Sequence, residues 1–165
     1  MVNKDEKLAI LNPDGEIEII EFFDYNCGHC KREAKVIKEF LKNRKDVKLI
    51  LRPIPILGRA SVYATQIGHA IMISEPDKYF KYYDSLMNNF GGDGDPIYEA
   101  IKDSGVNIEK LKNVLETNKD DISEMIKRDA ELADRFGVQG TPAFVINGKL
   151  IPGTISLEEL NSKIK

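Results

Sequence analysis

The chain has 165 residues, 42% of them hydrophobic, which is enough for one well-packed domain with an insertion and too few for two large ones. Its formal charge is -3, with 24 Lys and Arg well mixed among 27 Asp and Glu, so it lacks the basic balance or basic clusters of a nucleic-acid-binding protein. No stretch reaches the length of uninterrupted apolar residues needed for a membrane span, and Met1 to Lys7 are charged where a signal peptide would have its apolar core.

Leu8 to Leu11 is a short apolar run, followed by the turn chemistry of Asn12-Pro13-Asp14-Gly15. Glu16 to Asp24 alternates and then becomes continuously apolar, which predicts a short strand turning into a central one. At Cys27 the pattern changes to helix. Cys30, Ala34, Ile37 and Leu41 recur on one face, with Lys31, Arg32, Lys35 and Lys38 on the other. Cys30 is therefore expected to face inward, and Cys27 to sit at an exposed first turn.

After the polar turn Asn43 to Asp46, Val47 to Arg52 reads as a strand closed by Pro53 and Pro55. Strand, helix and strand at this spacing form a βαβ unit, whose strands are parallel with a right-handed crossover. Residues 58 to 118 contain no convincing strand. Helical stretches run Arg59 to Ile73, Asp77 to Asn89, Pro96 to Asp103 and Ile108 to Glu116, broken by Glu75-Pro76, the run Gly91 to Pro96, and Gly105.

Asp120 to Phe136 is a further amphipathic helix, with Ile122, Met125, Ile126, Ala133 and Phe136 as its apolar face and Gly137 placed to end it. Asn147-Gly148 between Ala143–Ile146 and Lys149–Ile151 predicts a hairpin with a two-residue primed turn. Ser156 with Glu159 is a capping box opening a last helix, to about Ile164.

The only two cysteines lie in Cys27-Gly28-His29-Cys30, at the start of the first helix. Two thiols so placed can form and break a disulfide with little movement elsewhere, as redox chemistry requires. As a folding staple the pair would contribute only about 2 kcal/mol, because the ring it closes is so small. A zinc site fails on counting, since there are two thiolates, no second Cys-x-x-Cys, and the other histidine, His69, falls in a separate helix.

A helix amino terminus in a partly buried setting favours an anion by up to ~2 kcal/mol, and His29 can add a donor or a positive charge beside the sulfur. A surface histidine with no role is the alternative. Exposure divides the labour: Cys27 forms the mixed disulfide, and Cys30, one turn deeper, resolves it.

Glu21 to Cys30, together with Gly140-Thr141-Pro142-Ala143-Phe144-Val145-Ile146-Asn147-Gly148, resembles the thioredoxin superfamily, and more narrowly its DsbA-like branch of exported bacterial thiol oxidoreductases. The likeness covers most of the chain. It implies a thioredoxin-like α/β fold, a central mixed sheet flanked by helices, built from residues 1–57 and 119–165 with a helical insertion at 58–118. It further implies dithiol–disulfide exchange on cysteine-containing protein substrates and a redox partner protein. The redox-active disulfide Cys27–Cys30 would be the only redox group, with no added cofactor and no metal.

The same resemblance implies the site. Thr141-Pro142 matches the cis-proline loop lying against the disulfide, where the missing N–H leaves room for close approach and neighbouring backbone, Gly140 included, can pair with an extended substrate segment. By itself Pro142 reads as a loop proline before a strand, since only about 5% of such bonds are cis. Glu21, six positions before Cys27, matches a buried acid that helps move the proton of the resolving thiol; the alternative is a glutamate facing the edge of a half-solvated strand. Gly28 stands where the branch has proline, and Cys-Gly-His-Cys also occurs in eukaryotic protein disulfide isomerases, so oxidase and isomerase both remain open. With few residues ahead of Leu8, either a monomeric oxidase or a trimmed chain is expected.

The branch implies a periplasmic or otherwise exported protein whose signal has been removed ahead of Met1. Two cysteines in one Cys-x-x-Cys would suit a cytosolic reductase equally. The alternative from another class is a binding module, in which Cys27 and Cys30 sequester Cu(I) or accompany a peptide-binding chaperone surface. Tyr79, Phe80, Tyr82 and Tyr83, on one inserted helix, are expected in the core and not in a substrate groove.

Overall fold

The computed structural model describes residues 7–89 and 94–165. Part of the Gly91 to Pro96 breaker, and the charged start of the chain up to residue 6, lie outside the described residues. Five strands form one mixed sheet in the order β1-β3-β2-β4-β5: β1 Ala9–Leu11, β2 Ile17–Phe23, β3 Val47–Pro53, β4 Ala143–Ile146 and β5 Lys149–Pro152. The helices are α1 Gly28–Lys42, α2 Arg59–Ser74, α3 Tyr79–Met87, α4 Pro96–Ser104, α5 Ile108–Thr117, α6 Lys119–Phe136 and α7 Leu157–Lys163, with a 3-10 turn at Pro76–Lys78.

β2 lies at the centre of the sheet, with apolar side chains on both faces alongside Glu18 and Glu21. It runs parallel to β3, from Ile17 opposite Val47 to Phe23 opposite Pro53, with α1 as the crossover. On its other side β4 runs antiparallel, setting Glu21 opposite Phe144. Pro53, expected to close β3, is its last residue; the next N–H, from Ile54, donates to the Phe23 carbonyl at 2.8 Å.

Alternation along β2 divides the interior in two. Ile19 and Phe23 join the larger core with Cys30, Ile37 and Phe40 of α1 and Tyr79, Tyr82 and Tyr83 of α3. Phe22 joins a smaller one with Ala133 of α6, Ala143 and Val145. The α3 tyrosines are thus core residues, as expected. Phe23 packs edge-on against Tyr25 and Tyr83, at ring-centroid distances of 4.9 and 5.5 Å. Burying each such side chain is worth roughly 1.5–3 kcal/mol.

Gly68 lets α2 approach this cluster: a Cβ there would lie 2.7 Å from the Tyr25 hydroxyl, which bonds the Tyr79 hydroxyl at 2.6 Å. The hairpin turn has the expected chemistry, with Asn147 at φ 52° and Gly148 at φ 75°. Ser156 caps α7 by accepting the Glu159 N–H at 3.1 Å.

Candidate active site

The site is assembled at the carboxyl end of β2, where the strand gives way to a short turn and then α1. Asp24, buried, holds this corner. One carboxylate oxygen accepts the Asn26 N–H at 2.8 Å and the Ser61 hydroxyl at 2.7 Å. The other accepts the N–H groups of Ile56 and Leu57 at 2.8 and 3.1 Å. One side chain therefore ties the turn before Cys27 to the loop after β3 and to the first turn of α2. Sequence reading missed it, because its partners other than Asn26 lie more than thirty residues away.

Cys27 is the N-cap of α1, in extended conformation (φ -79°, ψ 115°), and its Sγ accepts the Cys30 N–H at 3.2 Å. This is the geometry in which a helix start stabilises negative charge on sulfur. Both cysteines are free thiols. The Cys27 thiol also donates to the Thr141 carbonyl at 3.6 Å. Cys27 is less open than the sequence suggested: it is 6% exposed against 0% for Cys30, because the Thr141-Pro142 loop covers it. The order of accessibility between the two sulfurs is nevertheless the expected one.

Burial and the adjoining Cys27 push the Cys30 thiol well above the usual thiol range, against the Asp24 backbone and the Thr141 side chain, which favour its ionised form. The Thr141–Pro142 peptide bond is cis, and Pro142 is buried. Its carbonyl accepts the Gly153 N–H at 2.9 Å, fastening the loop to the end of the hairpin. Gly140 is exposed, with open space where a side chain would stand. A groove of about 440 Å³ runs beside this loop, bounded by Val138, Gly140, Pro142, Leu150 and Pro152.

His29 is exposed, and its Nδ1 lies 3.0 Å from Arg32 Nη2. A guanidinium has donors only, so this ring nitrogen is the acceptor. Among the described residues it makes no hydrogen bond to either sulfur.

Glu21 is fully buried, and neither carboxylate oxygen has a hydrogen-bond partner among the described residues. Burial, reinforced by Glu33, pushes its carboxyl from an ordinary 4.5 to about 8. Glu33, one turn beyond Cys30 on the inward stripe of α1, is a second buried acid; its Oε1 accepts the Ile155 N–H at 3.0 Å. Lys31 also departs from expectation. Placed on the solvated face by its spacing, it is only 8% exposed, and its ammonium donates to the Asn89 carbonyl at the end of α3.

The structure thus brings Cys27, Cys30 and the Thr141-Pro142 loop together, sets Gly140 at the groove beside that loop, buries Glu21 on β2, and leaves His29 at the surface. A dithiol at a helix start, with one sulfur sealed and the other under a loop of the same fold, defines a thiol–disulfide oxidoreductase. The chain belongs to the thioredoxin family, whose model, described as Thioredoxin, matches residues 3–165.

Within that family it is DsbA-like. It is 31% identical to the thiol-disulfide exchange protein alpha-DsbA2 from Wolbachia pipientis, covering 96% of this chain and 86% of that one, with a TM-score of 0.87. A thioredoxin-like oxidoreductase from Silicibacter pomeroyi superposes with the same TM-score at 28% identity, over 99% and 96% of the two chains. A probable disulfide bond formation protein D of Bacillus cereus is 26% identical over 149 residues, 83% of this chain and 68% of that protein. The binding-module alternative is not favoured.

Proposed function

We propose that this oxidoreductase introduces or rearranges disulfides in cysteine-containing proteins outside the cytoplasm and passes the electrons it collects to a redox partner protein. The observation that carries this reading is the asymmetry of the two cysteines: Cys27 retains slight exposure against the Thr141 carbonyl, and Cys30 is fully buried. A substrate thiolate attacks the Cys27 sulfur of the Cys27–Cys30 disulfide, the sulfur–sulfur bond breaks, and its electron pair leaves on Cys30. Glu21, an acid of about 8, is protonated at neutral pH and stands ready to protonate that thiolate. A second substrate thiolate then attacks the substrate sulfur of the mixed disulfide and expels Cys27. The enzyme is left reduced by two electrons, which the partner's disulfide or other oxidant removes.

In this reading Thr141, Pro142 and Gly140 seat an extended substrate segment along the groove beside them, and His29 tunes Cys27 from the surface. Ile56 and Leu57, each 52% exposed and held beside the site by Asp24, offer apolar contact on the opposite side. Residues 1–57 with 119–165 serve as the thioredoxin-like part, and 58–118 as a helical insertion; the sheet, α1, α6 and α7 fall in the first, α2 to α5 in the second. No cofactor beyond the dithiol pair enters the scheme. Export is supported by the likeness to a periplasmic thioredoxin-like protein of Salmonella enterica, 25% identical with a TM-score of 0.81. Among the described residues no helix is long and apolar enough to cross a membrane.

The test is covalent trapping. Cys30→Ala is expected to accumulate mixed disulfides with substrate proteins, seen as bands lost on reduction, and Cys27→Ala to form none. Equal trapping by both variants would reverse or abolish the assignment.

A further inference from the structure

We infer that Lys31 is a positioning residue for the exchange reaction, holding a buried ammonium within electrostatic reach of the Cys27 sulfur and favouring its thiolate as attacking and leaving group. This rests on redox chemistry at Cys27 and Cys30, not on the direction of electron flow.

Three features place the charge there. Lys31 is four residues after Cys27, with its N–H donated to the Cys27 carbonyl at 3.0 Å, and side chains at this spacing are neighbours on a helix. Its ammonium does not reach into solvent like an ordinary surface lysine; the Asn89 carbonyl at the end of α3 anchors it. Burial lowers its proton affinity, and the field of Cys27 opposes that fall in part. That coupling is reciprocal: whatever a Cys27 thiolate does for the proton on Lys31, the protonated Lys31 does for the thiolate.

The other charged groups nearby are otherwise engaged. His29 and Arg32 bond each other on the exposed side, and the carboxylate of Asp24 is taken up by Asn26, Ile56, Leu57 and Ser61. Asp84 of α3 meets Lys38 at 3.5 Å. Glu21 and Tyr83 lie deeper, where burial first, and then Glu21, Tyr79, Asp84 and Cys30, push the Tyr83 hydroxyl up.

In the completing step the electron pair of the mixed disulfide lands on Cys27, so a cation beside that sulfur stabilises the product thiolate. It also favours the reduced over the disulfide enzyme. A helix-to-helix fastener would have no such effect on the redox equilibrium.

The test compares wild type, Lys31→Gln and Lys31→Arg by their equilibrium with glutathione, with urea midpoints measured alongside. Lys31→Gln is expected to shift the equilibrium about tenfold toward the disulfide enzyme, a change of ~30 mV, while Lys31→Arg stays within about twofold. No shift in Lys31→Gln, or an equal shift in both, would overturn the inference. Should Lys31→Gln fail to fold, Lys31→Met, which keeps the aliphatic stem, takes its place.

A second readout is independent of substrate. In a Cys30→Ala background, removing the Lys31 charge should slow alkylation of Cys27 by iodoacetamide several-fold, and an unchanged rate refutes the idea. If wild type exchanged with no protein substrate, the proposed function would fall, and this rate would still judge Lys31.

Discussion

Two acids three positions apart show how far environment separates identical chemistry. Asp24 accepts hydrogen bonds from Asn26, Ser61, Ile56 and Leu57 and so is held as a fixed acceptor. Glu21, with no partner for either oxygen among the described residues, is pushed to about 8 by burial and by Glu33. Between its ordinary value of 4.5 and about 8 the folded protein holds a proton on Glu21 that the unfolded chain has lost, so stability falls as pH rises through that window. The stabilisation is fully present below 4.5 and lost above about 8, a difference on the order of 5 kcal/mol. His69, pushed down to about 4 by burial and by Arg52, acts in the opposite sense between about 4 and 6.5. Urea unfolding of wild type and Glu21→Gln across this range isolates the Glu21 contribution: Glu21→Gln should show a shallower loss above pH 6.5, and parallel curves would place Glu21 elsewhere. If Glu21 also supplies the proton to Cys30, the same variant should flatten the pH dependence of thiol exchange.

At the scale of elements, α6 is held to the sheet by a buried ion pair as well as by its apolar face. Asp129 Oδ1 meets Arg52 Nη1 of β3 at 2.9 Å, and its Oδ2 lies 3.7 Å from His69 Nε2 of α2. Three elements meet at one carboxylate. Asp129→Leu leaves the buried Arg52 guanidinium without that charge and should cost about 3–5 kcal/mol in urea unfolding at neutral pH. A cost under about 1 kcal/mol would mean that the apolar face alone holds the helix. The helix was legible from its stripe of Ile122, Met125, Ile126, Ala133 and Phe136, but Asp129 lies on the same stripe and was passed over. Glu33 on the inward stripe of α1 was missed in the same way. A charged residue at an apolar-stripe position is the available signal, although it cannot name the partner, which comes from another strand or helix.

For the whole molecule, folding and redox chemistry are linked: the difference in stability between dithiol and disulfide forms equals the difference in reduction potential between the folded and unfolded cysteine pair, about 1.4 kcal/mol for every 30 mV. The ring closed by Cys27 and Cys30 restrains the unfolded chain by only about 2 kcal/mol, so thiolate stabilisation in the fold can outweigh it. A disulfide donor should therefore resist urea better as the dithiol than as the disulfide. The opposite order would make the enzyme a reductase.

Local pattern was sufficient for everything that depends on near neighbours: the βαβ unit, the Asn147-Gly148 hairpin, the Ser156 cap and the depth of Cys30 relative to Cys27 follow from periodicity, turn chemistry and helix geometry. The Gly140-Thr141-Pro142 loop was recognised only by resemblance, because nothing in its own composition says that it will lie over a sulfur 114 residues away. Only the tertiary structure decided how covered Cys27 is, that Lys31 turns inward to Asn89, that Asp24 collects donors from across the chain, and that Glu21 lies without a hydrogen-bond partner among the described residues. Each depends on which distant backbone or side chain arrives beside it, and burial and electrostatics act through space while sequence pattern acts along the chain.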